Sequence, residues 1–170
     1  MSQVNATNSL SQIMADIDLG PTGSIQFQFA KLQMAQSQIC KNEAESYMKQ
    51  IEDIQNEQKE CAEMIEQARK LQNEAKNGDK CTEMPAEMKE FFNSRGISFD
   101  TAGSDDMHTA DEWDYNLKSL TNYQEQIGNK TQTLMIYLQD FIGQYNSYQE
   151  GAMSAISSAT QTLRAIAKGQ

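Results

Sequence analysis

Residues that usually carry chemistry are scarce in this sequence. It has one histidine, His108, so histidine-based catalytic triads and multi-histidine metal sites have almost no material. His108 lies in a polar stretch, where a surface or helix-capping role is expected. No glycine-rich phosphate loop and no nucleophile elbow occurs in the sequence. The sequence therefore argues against an enzyme and predicts no catalytic residue, no cofactor and no metal ligand.

Long apolar runs and basic clusters are missing as well. No apolar run approaches the roughly 18 residues of a membrane-spanning helix, so no such helix is predicted. The net charge is −10 and is spread along the chain, which argues against nucleic acid and anionic lipid as partners. Residues 1–20 lack a basic region followed by a continuous apolar one, so a cleaved secretory signal is not indicated.

Proline and cysteine are also few. The two prolines, Pro21 and Pro85, leave long stretches in which a helix can continue. The three cysteines, Cys40, Cys61 and Cys81, are an odd number. If Cys40 and Cys61 share one helix, they lie about 31 Å apart, which is too far for a disulfide. A disulfide framework is therefore not expected.

The last third of the chain contains a long helical pattern. From Trp113 to Ile166, apolar or small residues recur at alternating steps of four and three, which is typical of a coiled-coil seam. A helix is predicted over 111–168, and Thr109 and Glu112 have the spacing of a capping box at its start. The predicted seam of this helix contains Leu117, Leu120, Ile127, Leu134, Leu138 and Phe141.

A second long helix is predicted over 24–76. Its seam contains Ile51, Ile54 and Ile65, with Cys61 as a small apolar filler. Each of the two seams is hidden from water only if it lies on the other. The predicted fold is therefore all-α, a long antiparallel helical hairpin with coiled-coil packing.

The remaining segments are shorter and more polar. Residues 1–23 are rich in serine, asparagine, threonine and glutamine, and they are predicted to be a flexible leader before the hairpin domain at 24–170. Between the helices, residues 77–110 are predicted to form a small irregular cap. Within this cap we expect a short helix at 85–94, ended by Gly96, and a brief strand at Ile97-Ser98-Phe99.

The acidic run from Asp100 to Asp114 invites comparison with a calcium-binding loop. In an EF-hand alignment the third position is Ala102, and the sixth, where glycine is needed, is Asp105. The run is therefore interpreted as a solvated loop and the start of a helix.

One feature exceeds what a two-helix seam needs. Beside the seam, the second half of the last helix carries an additional apolar stripe, whereas the first half has Asp114, Thr121 and Gly128 on that line. Such a stripe is predicted to be an assembly interface between chains. The alternative is that the region of Phe27 and Phe29 folds over it. The predicted interface residues are Met135, Ile142, Ile156 and Leu163.

The order of these parts resembles a known family, the EspA/SseB-like filament proteins of bacterial type III secretion. The similarity runs from Phe29 to the C-terminus. FAKLQMAQSQ at 29–38 resembles the first helical segment of the family, and MPAEMKEFFN at 84–93 resembles its "LPxEVxxYIN" turn and short helix. Ile97-Ser98-Phe99 with Gly103 is similar to its "ITISG" segment, and residues 161–170 are similar to its "ISGISLGK"-type end.

The resemblance implies a secreted, non-enzymatic structural protein. Members polymerise into a hollow filament or, in the related needle-tip proteins, cap the needle, and they carry the translocon toward the host cell. The implied partners are further copies of the chain, the needle subunit, the translocon proteins and a dedicated cytosolic chaperone. The implied location is a bacterial surface appendage, reached by type III export through an uncleaved signal within residues 1–23.

Two other functions fit a helical hairpin. The first alternative is a cytosolic coiled-coil chaperone or adaptor that binds a partner helix, and this protein would form a small closed oligomer. The second is an effector or pore-forming protein, which the lack of a strongly apolar hairpin tip disfavours.

Overall fold

The computed structural model describes residues 10–19, 24–101 and 106–169. Most of these residues are helical, and the two longest helices are α2 and α4. In chain order, the helices are α1 (Leu10–Asp16), α2 (Ile25–Glu74), α3 (Ala86–Arg95) and α4 (Ala110–Ala167), and the strands are β1 (Cys81–Glu83) and β2 (Met107–Thr109). A π-helical turn, Ala75–Asp79, ends α2.

The predicted fold class is confirmed, because α2 and α4 pack against each other as a helical hairpin. Their bounds lie within a few residues of the predicted 24–76 and 111–168. The chain divides into two compact units, and both long helices contribute to each. We call residues 51–133 the cap unit, and residues up to 50 together with 134–170 the terminal unit.

The seam of the cap unit is built as the period predicts. Cys61 is fully buried, and its thiol contacts the carbonyl oxygen of Leu120 across the helix pair at 3.5 Å. Leu117 is half-buried. Because these side chains leave water together, each Leu or Ile contributes roughly 1.5–3 kcal/mol to pairing of the helices. The buried seam residues predicted for this unit are Ile51, Ile54, Ile65, Leu120 and Ile127.

The seam of the terminal unit is looser and more aromatic. Leu134 is buried, whereas Leu138 and Phe141 are half-buried. The Tyr47 ring of α2 stacks on Phe141 at 5.6 Å between centroids and also meets the Tyr137 ring at 5.8 Å. Such ring contacts add about 0.5–1.5 kcal/mol to the burial of the rings themselves.

A small two-stranded sheet closes the cap unit. β1 and β2 pair antiparallel, with Thr82 opposite His108. The Trp113 indole N–H donates to Thr82 Oγ1 at 2.8 Å, and the Thr82 hydroxyl donates to the Leu71 carbonyl at 3.0 Å. Trp113 is fully buried. These bonds tie β1 to the end of α2 and to the first turn of α4.

Two expectations for the cap were wrong. Ile97-Ser98-Phe99 is not a strand, because the Ile97 N–H bonds the carbonyl of Phe92 and closes the end of α3. Gly96 makes that closure possible, since its φ of 65° is left-handed. His108 is not a surface residue. It lies in β2 with 1% of its surface exposed, because its ring packs on the Trp113 ring.

The leader and the cysteines complete the description. Within the predicted leader, residues 10–16 form α1 and Ile13 is buried, while residues 1–9 and 20–23 lie outside the described residues. Cys40, Cys61 and Cys81 are all free thiols. Burial and the nearby Glu57 carboxylate raise the pKa of Cys61 to about 11.

Candidate functional site

The four predicted interface residues all lie on α4 in the terminal unit. Three of them are exposed: Met135 at 46%, Ile142 at 44% and Leu163 at 52%. Ile156 is half-buried. The structure therefore places three of the four side chains in water, where a second chain could contact them.

Met153 belongs to the same surface and was missed by the sequence reasoning. It follows Ile142 by eleven residues, or about three helical turns, so the two side chains leave α4 on the same side. Met153 is 69% exposed. A repeat of eleven residues matches the turn of an α-helix more closely than a repeat of seven does. A search for apolar residues eleven positions apart would therefore have found Met153. We define the α4 stripe as Met135, Ile142, Met153, Ile156 and Leu163.

Exposed apolar side chains are concentrated in the terminal unit. In the described parts of the chain, thirteen large apolar residues are exposed, and eleven of them belong to this unit. The two in the cap unit are Met107 and Tyr115. The units are similar in length, so the difference is one of surface character. Outside the α4 stripe, the exposed large apolar residues of the terminal unit are Leu10, Ile25, Phe29, Met48, Ile136, Tyr137 and Ile166.

The same stretch of α4 is nearly free of charge. Between Thr131 and Leu163 the only ionisable acidic or basic side chains are Asp140 and Glu150. Removing an unpaired charge from water is costly, whereas amide and hydroxyl groups can exchange hydrogen bonds across a contact. A surface of this composition can therefore be covered by another chain at little electrostatic cost.

Phe29 lies on a different side of α4 from the exposed residues of the α4 stripe. Ile25 and Phe29 line a groove with Gly151, Ser154 and Ser158, which face a different side of α4 from Ile142. Phe29 is itself 50% exposed. The alternative that this region folds over the stripe is therefore wrong for Met135, Ile142, Met153 and Leu163, which all remain exposed.

The end of α4 is exposed for a geometric reason. Gly151 of α4 lies beside Gln33 of α2, since a Cβ added at Gly151 would be 2.8 Å from Gln33 Oε1, and this neighbour shows the register of the two helices in the terminal unit. Since α2 begins at Ile25, the last turns of α4 continue beyond the start of its partner helix. Leu163 and the seam position Ile166 are exposed for this reason, whereas Ala159, before that point, is buried.

Comparison of the chain with protein-family models, with curated proteins and with solved structures finds no match. Of the helices in the described residues, none has the length and apolarity needed to cross a membrane.

Proposed function

We propose that this chain is a self-assembling structural subunit whose copies associate through the α4 stripe. The observation that carries the proposal is the concentration of exposed apolar side chains on a charge-poor stretch of the terminal unit. The family resemblance supports a specific form of this function. In that form the chain is secreted by a type III system and builds a filament or needle-tip assembly that supports the translocon.

The free energy available from the α4 stripe comes from several residues together. The four exposed stripe side chains, Met135, Ile142, Met153 and Leu163, have between 44% and 69% of their surface in water, so covering each of them contributes on the order of 1 kcal/mol. Association costs at least about 4 kcal/mol in lost motion, so several stripe residues must act together. A polymer gains from this arrangement because every added subunit repeats the same contact.

The resemblance also supports the proposed partners and route. A chaperone would cover the stripe before export, and residues 1–23 would carry the export signal. The needle subunit and the translocon proteins would then contact the two ends of the assembly. In this proposal the protein works as a conduit and has no catalytic role.

The test compares two aspartate substitutions on one helix. Ile142→Asp places a charge on the exposed α4 stripe, so it should leave a folded, soluble subunit that does not assemble. Leu138→Asp places the charge on the seam, where burial of an unpaired carboxylate should damage folding itself. A loss of about 2 kcal/mol per contact is some thirtyfold in association and should stop growth. Sedimentation and far-UV circular dichroism measure the two effects.

Two further variants complete the experiment. Met153→Asp should behave like Ile142→Asp, and Ser147→Asp, on the far side of α4, should assemble as the parent does. Ile156→Asp should affect both folding and assembly, because Ile156 is half-buried. Normal assembly by Ile142→Asp, or unfolding as severe as that of Leu138→Asp, would refute the role given to the α4 stripe. A small closed oligomer that tolerates Ile142→Asp would instead favour the chaperone or adaptor interpretation.

A further inference from the structure

Three side chains of metal-ligand type converge in the cap unit. Asp100 lies in the segment after α3, His108 lies in β2, and Glu112 lies in the first turn of α4. Their ligand atoms all lie within 4.8 Å of one another. His108 Nδ1 is 3.8 Å from Asp100 Oδ2, which is too long for a hydrogen bond.

The His108 imidazole is buried with one nitrogen unpaired. His108 is 1% exposed, and in the described part of the chain its Nδ1 atom has no hydrogen-bond partner. The ring cannot easily turn away, because it packs at 65° on the buried Trp113 ring with 5.1 Å between centroids. A buried, unpaired nitrogen this close to a carboxylate needs an explanation, and a cation bound between the two groups would supply one.

Hydrogen bonds hold the Glu112 carboxylate and the Asp100 backbone in place. The Thr109 N–H donates to Glu112 Oε2 at 2.6 Å, which completes the capping box of α4. The Asp100 N–H donates to Oδ1 of the fully buried Asn116 at 2.7 Å. The three potential ligands are thus positioned by the fold.

We propose that Asp100, His108 and Glu112 bind a first-row divalent transition-metal ion, with Zn²⁺ the best match. Zinc accepts imidazole nitrogen and carboxylate oxygen, and three protein ligands leave one position for water. Neighbouring ligand atoms of a tetrahedral zinc site lie about 3.4 Å apart at the usual bond lengths. The 3.8 Å between His108 Nδ1 and Asp100 Oδ2 therefore needs only a small adjustment.

Calcium and magnesium fit this set of ligands poorly. Calcium prefers six to eight oxygen ligands, and magnesium keeps most of its waters. The imidazole nitrogen instead favours zinc and the ions close to it. The ion would join the segment at Asp100 to the first turn of α4, so it would fix the cap independently of the proposed self-assembly. The sequence alone predicted no metal site, because these residues belong to three separate elements.

The experiment is a Zn²⁺ titration of the full chain by isothermal calorimetry after treatment with a chelator. The expected result is one zinc per chain, with little competition from Ca²⁺ or Mg²⁺. Glu112→Gln is the decisive variant, because glutamine retains the capping box but is a poor zinc ligand. It should lower zinc affinity about tenfold or more, at least as much as loss of an outer-shell partner does. Asp100→Asn should have a similar effect.

Two controls separate this site from other effects. Asp111→Asn removes an acidic charge from the same turn of α4 outside the cluster and should bind zinc as the parent does. The Co²⁺ complex should lack the strong thiolate absorption of a cysteine ligand, and Cys81→Ser should not change the affinity. Absence of zinc binding to the parent, unchanged affinity in Glu112→Gln, or dependence on Cys81 would each overturn the proposal.

Discussion

Three glycines within α4 provide a quantitative test of the packing. Gly128, Gly143 and Gly151 all lie inside this helix, where glycine costs about 0.8–1.0 kcal/mol relative to alanine. An alanine Cβ at Gly143 would meet nothing within 4 Å. Gly143→Ala should therefore stabilise the subunit by nearly the full amount, about 0.8 kcal/mol.

The other two glycines should gain less, in an order set by their neighbours. At Gly128 the nearest atom to the added Cβ is Gln58 Nε2 at 3.5 Å, an ordinary contact, so the gain should be close to that of Gly143→Ala. At Gly151 the nearest atom is Gln33 Oε1 at 2.8 Å. The Gln33 side chain must move, which offsets part of the helix-propensity gain.

Urea unfolding of the unassembled subunit, followed by far-UV circular dichroism, measures these differences. The stability gain should be largest for Gly143→Ala, slightly smaller for Gly128→Ala and smallest for Gly151→Ala. Measurements at two protein concentrations would show that assembly does not contribute. If Gly143→Ala destabilised the subunit, the position could not be an open site in a continuous helix, and the account of α4 would be wrong.

Two further predictions concern the cysteines and the leader. Cys61 is buried with a pKa of about 11, so its alkylation should be slow below that pH and rise toward it, because only the thiolate reacts. The partly exposed Cys81 should be alkylated first, as mass spectrometry of the labelled peptides would show, and faster labelling of Cys61 would contradict its place in the seam. Deletion of residues 2–20 should abolish secretion, while circular dichroism should lose no more than the seven helical residues of α1. Secretion of the truncated chain would remove the export role from the leader.

The long helices could be predicted because their seams repeat over many turns. Each seam residue from Trp113 to Ala159 is buried or half-buried, as the alternation of steps requires. The capping box at Thr109 and Glu112 was also predicted, and the hydrogen bonds in both directions confirm it. These features depend on residues close together in the chain or on a regular period, which a single sequence contains.

The cap could not be predicted to the same degree, because its contacts depend on three-dimensional register. The pairing of Thr82 with His108 involves strands of three residues, which are too short to show a period. Ile97-Ser98-Phe99 alternates like a strand, but the Ile97 N–H bonds the Phe92 carbonyl at the end of α3 instead of a neighbouring strand. The Phe99 ring packs on the Phe92 ring with 5.1 Å between centroids. Asp100 comes close to His108 through the packing of the cap, where its N–H bonds the Asn116 side chain of α4, a contact between residues 16 apart in the sequence.

The exposure of each α4 stripe residue depends on where α2 begins. The spacing of apolar residues along α4 does not contain that information. Ile156 and Leu163 are one heptad apart and equivalent in sequence pattern, but only Leu163 is exposed. The difference arises because α2 begins at Ile25, and the register then determines which turns of α4 have a partner. The sequence pattern predicts the α4 stripe, but it does not predict how much of each stripe residue α2 covers.

Electron microscopy of the purified full chain tests the central proposal most directly. If copies associate through the α4 stripe, the protein should form regular multi-subunit assemblies, filaments in the form that the family resemblance favours, and their number should grow with protein concentration. If the chain stays a single folded subunit at every concentration, the exposed apolar surface is not an interface between copies, and the proposed function is wrong.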